Sequence, residues 1–591
     1  MTRVTRVVRR AAVAAFVSCT ALSPLHAQQS KPSTTDPRFS LRGGWNDAQE
    51  AISNLTLLAH RNRPDGFFNA NDAGDFSLIN SDLAFDGTFA FIGGYHGFQV
   101  WDVSAPSNPT LRLAFPCPGG QGDLSVYKHL LFMSVEENKG RVDCGAQGVG
   151  TAASAERFRG VRIFDISDID HPRQVGAVQT CRGSHTHTLV TDPKDAGSVY
   201  VYVSGTGDVR SGAELAGCSD GAPGADSTTA RFLIDVIKVT VSAPQDARIV
   251  SRPRIFASRT TKAIDGLWQG GRHGTGTQET SETDQCHDIT AYPEIGLAAG
   301  ACSGNGILLD IGDPANPKRV DEVIDPGFAY WHSATFSNDG SKLLFSDEWG
   351  GGVGAKCRET DKMTWGADAI FTVRNRKLIA QGHYKLPAAQ SAVENCVAHN
   401  GTLIPVPGRD IMVQAWYQGG LSVFDFTDPR KPVEIAYFDR GPINSAELTL
   451  AGYWSAYWYN GNIYGSEIGR GLDVFELKPS AMLTQNEIDA AKSVTFAGSN
   501  PQLQQKLVWT PSFVVARAYI DQLDRGNGLP AAQITSIMAT LGMAEQQSGP
   551  ARKTTLRALA VRLDRAVPRA KDAARVRSLS ATVKGLANAA E

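Results

Sequence analysis

Apolar and polar positions alternate in short runs over most of the chain, and each run ends in a turn. Gly97-Phe98-Gln99-Val100-Trp101-Asp102-Val103-Ser104 shows the pattern, with Ala105-Pro106-Ser107-Asn108-Pro109 closing it. A period of two predicts a strand, and the Ser/Pro/Asn cluster predicts its end. The same sentence recurs at Gly160-Val161-Arg162-Ile163-Phe164-Asp165-Ile166-Ser167, at Gly306-Ile307-Leu308-Leu309-Asp310-Ile311, and at Gly420-Leu421-Ser422-Val423-Phe424-Asp425-Phe426-Thr427. Weaker copies stand at Phe232-Leu233-Ile234-Asp235-Val236, Ala369-Ile370-Phe371-Thr372-Val373 and Gly471-Leu472-Asp473-Val474-Phe475. Self-similarity of this kind predicts a repeat architecture.

Ahead of the repeated strand lie two more runs joined by a tight turn. Asp86-Gly87, Asp339-Gly340 and Asn460-Gly461 are the turn dipeptides, which are strong hairpin signals. The strong copies are also followed by an outer run, such as Pro109-Thr110-Leu111-Arg112-Leu113-Ala114. The last copy has none. Its counterpart stands near the amino end, where Ser53-Asn54-Leu55-Thr56-Leu57-Leu58-Ala59 nearly duplicates the segment after the first copy. The expected fold is therefore an all-β seven-bladed β-propeller of four-stranded antiparallel blades over residues 51–480. An early strand completes the last blade and removes the exposed edges. Asp102, Asp165, Asp235, Asp310 and Asp425 are expected to hold turns rather than ligands.

The repeated strand-Asp-Ser/Thr-Asp-Pro sentences resemble the LVIVD-repeat propellers of exported bacterial proteins. That resemblance spans roughly residues 50–480 and implies fold, with little about activity. Long insertions near 205–230 and 257–285 depart from the plain repeat.

The flanks read differently. Arg3, Arg6, Arg9 and Arg10, the apolar run Ala11–Cys19 and Leu25-His26-Ala27 predict a signal peptide over 1–27. The apolar run is too short for a permanent span. Residues 28–50 are expected to be a flexible lead. After Pro479, Thr484-Gln485-Asn486-Glu487 is a capping box. Leu556, Leu559, Leu563, Leu579 and Val583 then follow helical spacing, so 481–591 is expected to be a small α-helical bundle. Between 551 and 591 it carries ten Lys/Arg against three acids. A solvated helix face is preferred there over a lipid or peptidoglycan contact.

Charge is nearly balanced, at net −2 over 591 residues, so nothing global steers the chain to nucleic acid. Eight cysteines remain once Cys19 leaves with the signal, an even number suited to an exported disulfide framework. Sequence does not fix connectivity. The natural neighbour pairs are Cys117–Cys144, Cys181–Cys218, Cys286–Cys302 and Cys357–Cys396.

Candidate chemistry enters through the first strand of each unit. Its opening residues are Asp82, Asp123, His187 (in Ser184-His185-Thr186-His187-Thr188), His287, His332, His399 and Trp454. Innermost strands line a propeller's axis, so these positions converge. Four imidazoles form a plausible ligand set for a transition metal ion. Glu136, Glu348, Trp416 and Glu467 end the second strands, and Glu348 and Glu467 could complete coordination. The competing expectation is ordinary polar packing around ordered water. Two functions follow: an exported scaffold at the periplasm or cell surface that binds a protein or envelope ligand, or a metal-dependent enzyme with an axial His-lined site.

Overall fold

The computed structural model describes residues 31–589; the expected signal peptide and Cys19 lie outside them. The chain is mostly β, built from repeated four-stranded antiparallel meanders. The first contains Asn80–Asp86, Phe89–Gly94, Gly97–Asp102 and Thr110–Pro116, paired in that order. The next meanders open with the strands Leu124–Tyr127, Thr188–Thr191, Asp288–Tyr292 and Trp331–Phe336. Two further meanders open with Asn400–Ile404 and Tyr453–Tyr459, and they merge into one nine-stranded sheet. The junction is only a short parallel contact, Asn400 to Ser455 and Gly401 to Ala456.

Burial falls off from the inner strands of a unit to its outer one. Gly97–Asp102 is buried on both faces up to its last residue, because neighbouring sheets cover it. The outer strand Thr110–Pro116 is largely open. Opening strands stand side by side: Tyr453–Tyr459 packs on Asn80–Asp86, which packs on Leu124–Tyr127. The late unit thus meets the early one.

The closing strand is where self-similarity placed it. Leu55–Asn62 pairs antiparallel with Gly471–Leu477, Leu57 opposite Phe475 and Ala59 opposite Val474. Asp473, fully buried, joins three segments across this seam. It accepts from His60 Nδ1 at 2.7 Å, Arg440 Nη1 at 2.7 Å and the Tyr453 hydroxyl at 2.5 Å. Burial opposes its charge, but Arg440 and His60 outweigh it and hold the carboxyl well below its ordinary range.

Residues 31–50 correct the expectation of a flexible lead. Arg38 is buried and bonds Asp36 and Glu434 at 2.7–2.9 Å. Trp45 donates to the Gly469 carbonyl at 3.1 Å. Glu50–Ser53 then adds a fifth strand beside Val433–Arg440. The polar composition hid a segment anchored by hydrogen bonds rather than apolar burial.

The turn aspartates behave as expected in four units. Asp102, Asp165, Asp310 and Asp425 accept the backbone N–H two residues on at 2.7–2.9 Å. Asp235 differs. It opens the strand Asp235–Thr240 instead of ending one, and Arg252 pairs with it at 2.8 Å. The weak copy at 232–236 was out of register.

All four neighbour disulfides form: Cys117–Cys144, Cys181–Cys218, Cys286–Cys302 and Cys357–Cys396. They fit an oxidising compartment. Helix α1 (Gln485–Lys492) starts on the Thr484/Glu487 capping box. Helices α2 (Phe513–Arg525), α3 (Ala531–Gln546), α4 (Gly549–Ala566) and α5 (Ala573–Ala589) share one apolar core. The bundle docks on the 405–410 turn, where Trp509, Gln522 and Arg575 donate to the carbonyls of Pro405, Pro407 and Gly408 at 2.7–3.0 Å. No helix among the described residues is long and apolar enough to cross a membrane.

Leu55 is buried in the core that the closing strand completes. Leu55→Ala should cost about 2–5 kcal/mol in denaturant unfolding. Leu111→Ala, on an outer strand and 40% exposed, should stay within about 0.5 kcal/mol. Equal small losses would mean that the seam does not carry stability.

Candidate metal centre

The opening strands start on the face that carries the long connections, and their first residues meet at the axis. His287 and His399 immediately precede the strands Asp288–Tyr292 and Asn400–Ile404, and His332 is the second residue of Trp331–Phe336. Three disulfides pin this region. Cys286 adjoins His287, Cys396 lies three residues before His399, and Cys181 four before His185.

The imidazoles form a contiguous arc. Ring centroids are 4.5 Å apart for His185–His287, 3.8 Å for His287–His332 and 4.2 Å for His332–His399. Glu348, at the end of its unit's second strand, faces two of them. Its Oε2 lies 3.8 Å from His332 Nε2 and its Oε1 3.7 Å from His399 Nε2. The Tyr417 hydroxyl donates to Glu348 Oε1 at 2.5 Å and steadies it. Ligand atoms of His287, His332 and Glu348 all lie within 4.8 Å of one another, close enough to share one ion.

Two features suit these groups to a cation. His332 is fully buried, and neither ring nitrogen has a protein partner among the described residues; His399 Nε2 also lacks one. Orphaned buried polar atoms are rare and cost about 1–3 kcal/mol each. The rings are also held neutral, as ligation requires. Burial pushes His399 down to about 3, and burial with neighbouring imidazoles pushes His287 and His332 well below the usual value. His399 Nδ1 bonds the Trp454 carbonyl, so its Nε2 carries the free lone pair.

His185 takes the place expected of His187. Its Nδ1 bonds both Glu136 oxygens at 2.7 Å and its Nε2 meets His287 Nε2 at 2.8 Å. Burial alone would lower its pKa, but the Glu136 carboxylate prevails and raises it. A carboxylate that orients an imidazole in this way is a recurring support for metal ligands. His187 lies off the arc, 2.8 Å from Ser134 Oγ and 3.2 Å from Asp123. Both histidines precede the strand Thr188–Thr191, where the chain is not extended as a regular strand, so counting back from the strand picked His187 although His185 is the one that reaches the arc.

Glu467 is not brought to the centre. Its oxygens accept from Gly452 N at 3.1 Å, Gly469 N at 2.9 Å and Arg470 Nη1 at 3.0 Å, which holds the 467–470 turn. Trp416 belongs to an apolar core.

Further along the channel sit Asp82, Asp123 and Asp288, all buried. Burial, then the Asp123 charge, raises Asp82 to about 7 and Asp288 to about 8. Asp82 accepts from Asn400 Nδ2 at 3.3 Å and Gln502 Nε2 at 3.4 Å.

The LVIVD repeat model matches residues 80–115. The chain carries an LVIVD repeat. The matched stretch is one complete four-stranded unit. The search of curated proteins returned no match. Among solved structures, the Pseudomonas aeruginosa periplasmic gluconolactonase is 12% identical at a TM-score of 0.39, covering 67% of this chain and 97% of its own. A putative 6-phosphogluconolactonase from Bacteroides uniformis is 9% identical at 0.37, covering 65% and 89%. The N-terminal domain of Nup159 is 10% identical at 0.39, covering 72% and 97%. At these scores none bears on activity.

The raised carboxyls predict a pH dependence. Asp82 holds its proton in the folded state up to about pH 7, while in the unfolded chain it ionises near 3.8. This stability is complete below the unfolded value and is lost as pH rises through the folded one. Thermal unfolding of metal-free protein should therefore weaken between about pH 4 and 7, by on the order of 1 kcal/mol per pH unit for this group. Asp82→Asn should flatten that slope; an unchanged slope would contradict the assignment.

Proposed function

We propose that residues 51–480 form a seven-bladed propeller whose axis holds a transition metal ion on His287, His332, His399 and Glu348, with His185 beside them. In this reading 481–591 is an accessory helical domain, and the protein works in the periplasm or at the cell surface. The sevenfold reading is supported by the meander count, with Leu55–Asn62 serving as the outer strand of the last unit. The exported location is supported by the four disulfides.

One observation carries the metal reading over a passive binding disc: His332 is buried with both nitrogens unpartnered beside two further imidazoles and a carboxylate. A throat closed by side-chain packing alone would pair them. Imidazole and carboxylate donors suit Zn, Cu, Fe or Ni. His185 and Glu136 form the outer support. In the metal-free site burial raises the Glu348 carboxyl to about 7, so loading the ion would release its proton. We therefore favour a metal-dependent enzyme over a scaffold.

Elemental analysis after reconstitution of metal-free protein tests this. Stoichiometric uptake of a transition metal is expected, abolished by His332→Ala and His399→Ala and retained by His187→Ala. Glu136→Gln should bind about 10- to 100-fold more weakly. No uptake of Zn, Cu, Fe, Ni or Co, or equal loss in His187→Ala, would end the proposal.

A further inference from the structure

The insertion at 257–285 supplies no ligand to the axial centre. Its first turn folds instead onto Lys318–Val323, the outer strand of the next unit. Ile255 and Phe256, just ahead of the turn, are anchored in an apolar core. Two arginines brace turn and strand from opposite sides. Arg319 donates to the Ile255 and Ala257 carbonyls, each at 2.7 Å, and Arg259 donates back to the Val320 carbonyl at 2.6 Å. Within the turn, Ser258 N donates to Ala263 O at 2.7 Å and Lys262 N to Ser258 O at 3.1 Å.

The braced turn and the strand enclose a cleft of about 280 Å³. Arg254, Arg259, Lys262, Lys318 and Arg319 line it together with Ser258, and no carboxylate does. Among the described residues, only Glu322 and Asp321 come within ion-pairing distance of these cations. Glu322 lies 2.9 Å from Arg259 and 3.3 Å from Arg319. Asp321 is 3.8 Å from Arg259, but Lys377 Nζ already holds it at 2.6 Å. Asp226 attracts Arg254 from farther off and is itself bonded by Ser219 and Thr228. Burial lowers the pKa of both Arg254 and Arg319, and at Arg319 the charge of Arg259 adds to the effect. Like charges are thus gathered where the fold itself disfavours them.

Donors are left over. The Lys318 ammonium has no partner among the described residues, and Lys262 donates only to the Arg259 carbonyl, at 2.9 Å. Ser258 Oγ accepts from the Thr260 and Thr261 amides, which leaves its own proton free to donate. We propose that this cleft binds a phosphate group carried as a monoester, whose dianion answers the unmatched cations. Guanidinium forks and ammonium point charges are the donors that suit such oxygens. The metal reading plays no part in this.

Full-length protein is titrated with inorganic phosphate by calorimetry at low ionic strength, where exposed charges are least screened. Saturable one-site binding is expected, with acetate, a monoanion, weaker by roughly tenfold or more. Lys318→Gln and Lys262→Gln, both at exposed positions, should each weaken phosphate roughly three- to tenfold, which places it in the cleft and not on the axial ion. Lys194→Gln, an exposed lysine of another unit, should leave it unchanged. Vesicles of phosphatidylcholine with phosphatidic acid, against phosphatidylcholine alone, separate the sources of the group. Co-sedimentation that Lys318→Gln abolishes assigns it to a lipid headgroup; binding of free phosphate without co-sedimentation assigns it to a soluble ester. No binding of phosphate in either form, equal affinity for acetate, or equal weakening by Lys194→Gln overturns the proposal.

Discussion

The pairing of Leu55–Asn62 with Gly471–Leu477 is the constraint on which the rest depends. A row of antiparallel sheets without it has two raw edges and no reason to curl fully. With it, the last unit is completed by the start of the chain, and Tyr453–Tyr459 is held against Asn80–Asp86. Asp473 makes the seam more than a backbone match. A buried carboxylate is costly unless every acceptor site is used, and its three donors come from the closing strand, the preceding unit and its own unit. Slippage of the strand would remove His60 from that set and leave charge poorly paired in the interior.

Closure has a chemical consequence at the axis. Residues separated by more than a hundred positions in sequence, such as His287 and His399, become neighbours only because each opens the innermost strand of its own unit. The disulfides then limit how far those openings can relax. Cys286–Cys302 ties the residue before His287 to the end of the adjacent strand. Orphaned imidazole nitrogens favour local rearrangement that would find them partners; cross-links beside them oppose it. A ligand set that must stay neutral and unpaired until occupied needs this kind of external restraint.

Much of this was legible because it was local or repetitive. The strand-turn sentence, the Asp-Gly and Asn-Gly hairpins and the Thr484 capping box each depend on a few adjacent residues. The closing strand was legible because Ser53–Ala59 copies Ser107–Leu113. What escaped depended on side chains acting at a distance. Arg38 looks like part of a polar lead, but Glu434 lies 396 positions away. Asn500 and Gln504 look like linker residues, because nothing in their spacing reveals that their side-chain amides will bond the backbone of Val126 and Phe336 in place of strand pairing. Among the site residues, the structure brings His287, His332, His399 and Glu348 together. His185 took the place expected of His187 because both lie ahead of the strand Thr188–Thr191, where strand alternation does not set the side-chain direction. Glu467 stands one position short of the place of Glu348: it lies opposite Tyr453 as Asp347 lies opposite Trp331, and Arg470 three residues on captures it.

That last contrast shows what distinguishes a structural carboxylate at the end of a second strand from a reactive one just beyond it. Glu467 accepts from three backbone amides and a guanidinium, so its charge is satisfied and its geometry fixed by a turn. Glu348 accepts from one phenol, Tyr417, and otherwise faces imidazole nitrogens beyond hydrogen-bonding distance. Burial then raises its pKa toward neutrality. The last residue of the second strand is consumed by the fold in both units, as Asp347 accepts from Ala329, Tyr330 and Gly366 amides and Glu467 from Gly452 and Gly469; the residue after it, Glu348, is left for chemistry. Here the glycine run Gly350-Gly351-Gly352 carries no side-chain donors to engage Glu348. Gly352 instead lets its backbone pass so close to the Tyr417 hydroxyl that a Cβ would collide with it at 2.4 Å. The loop that spares the carboxylate also positions its single donor.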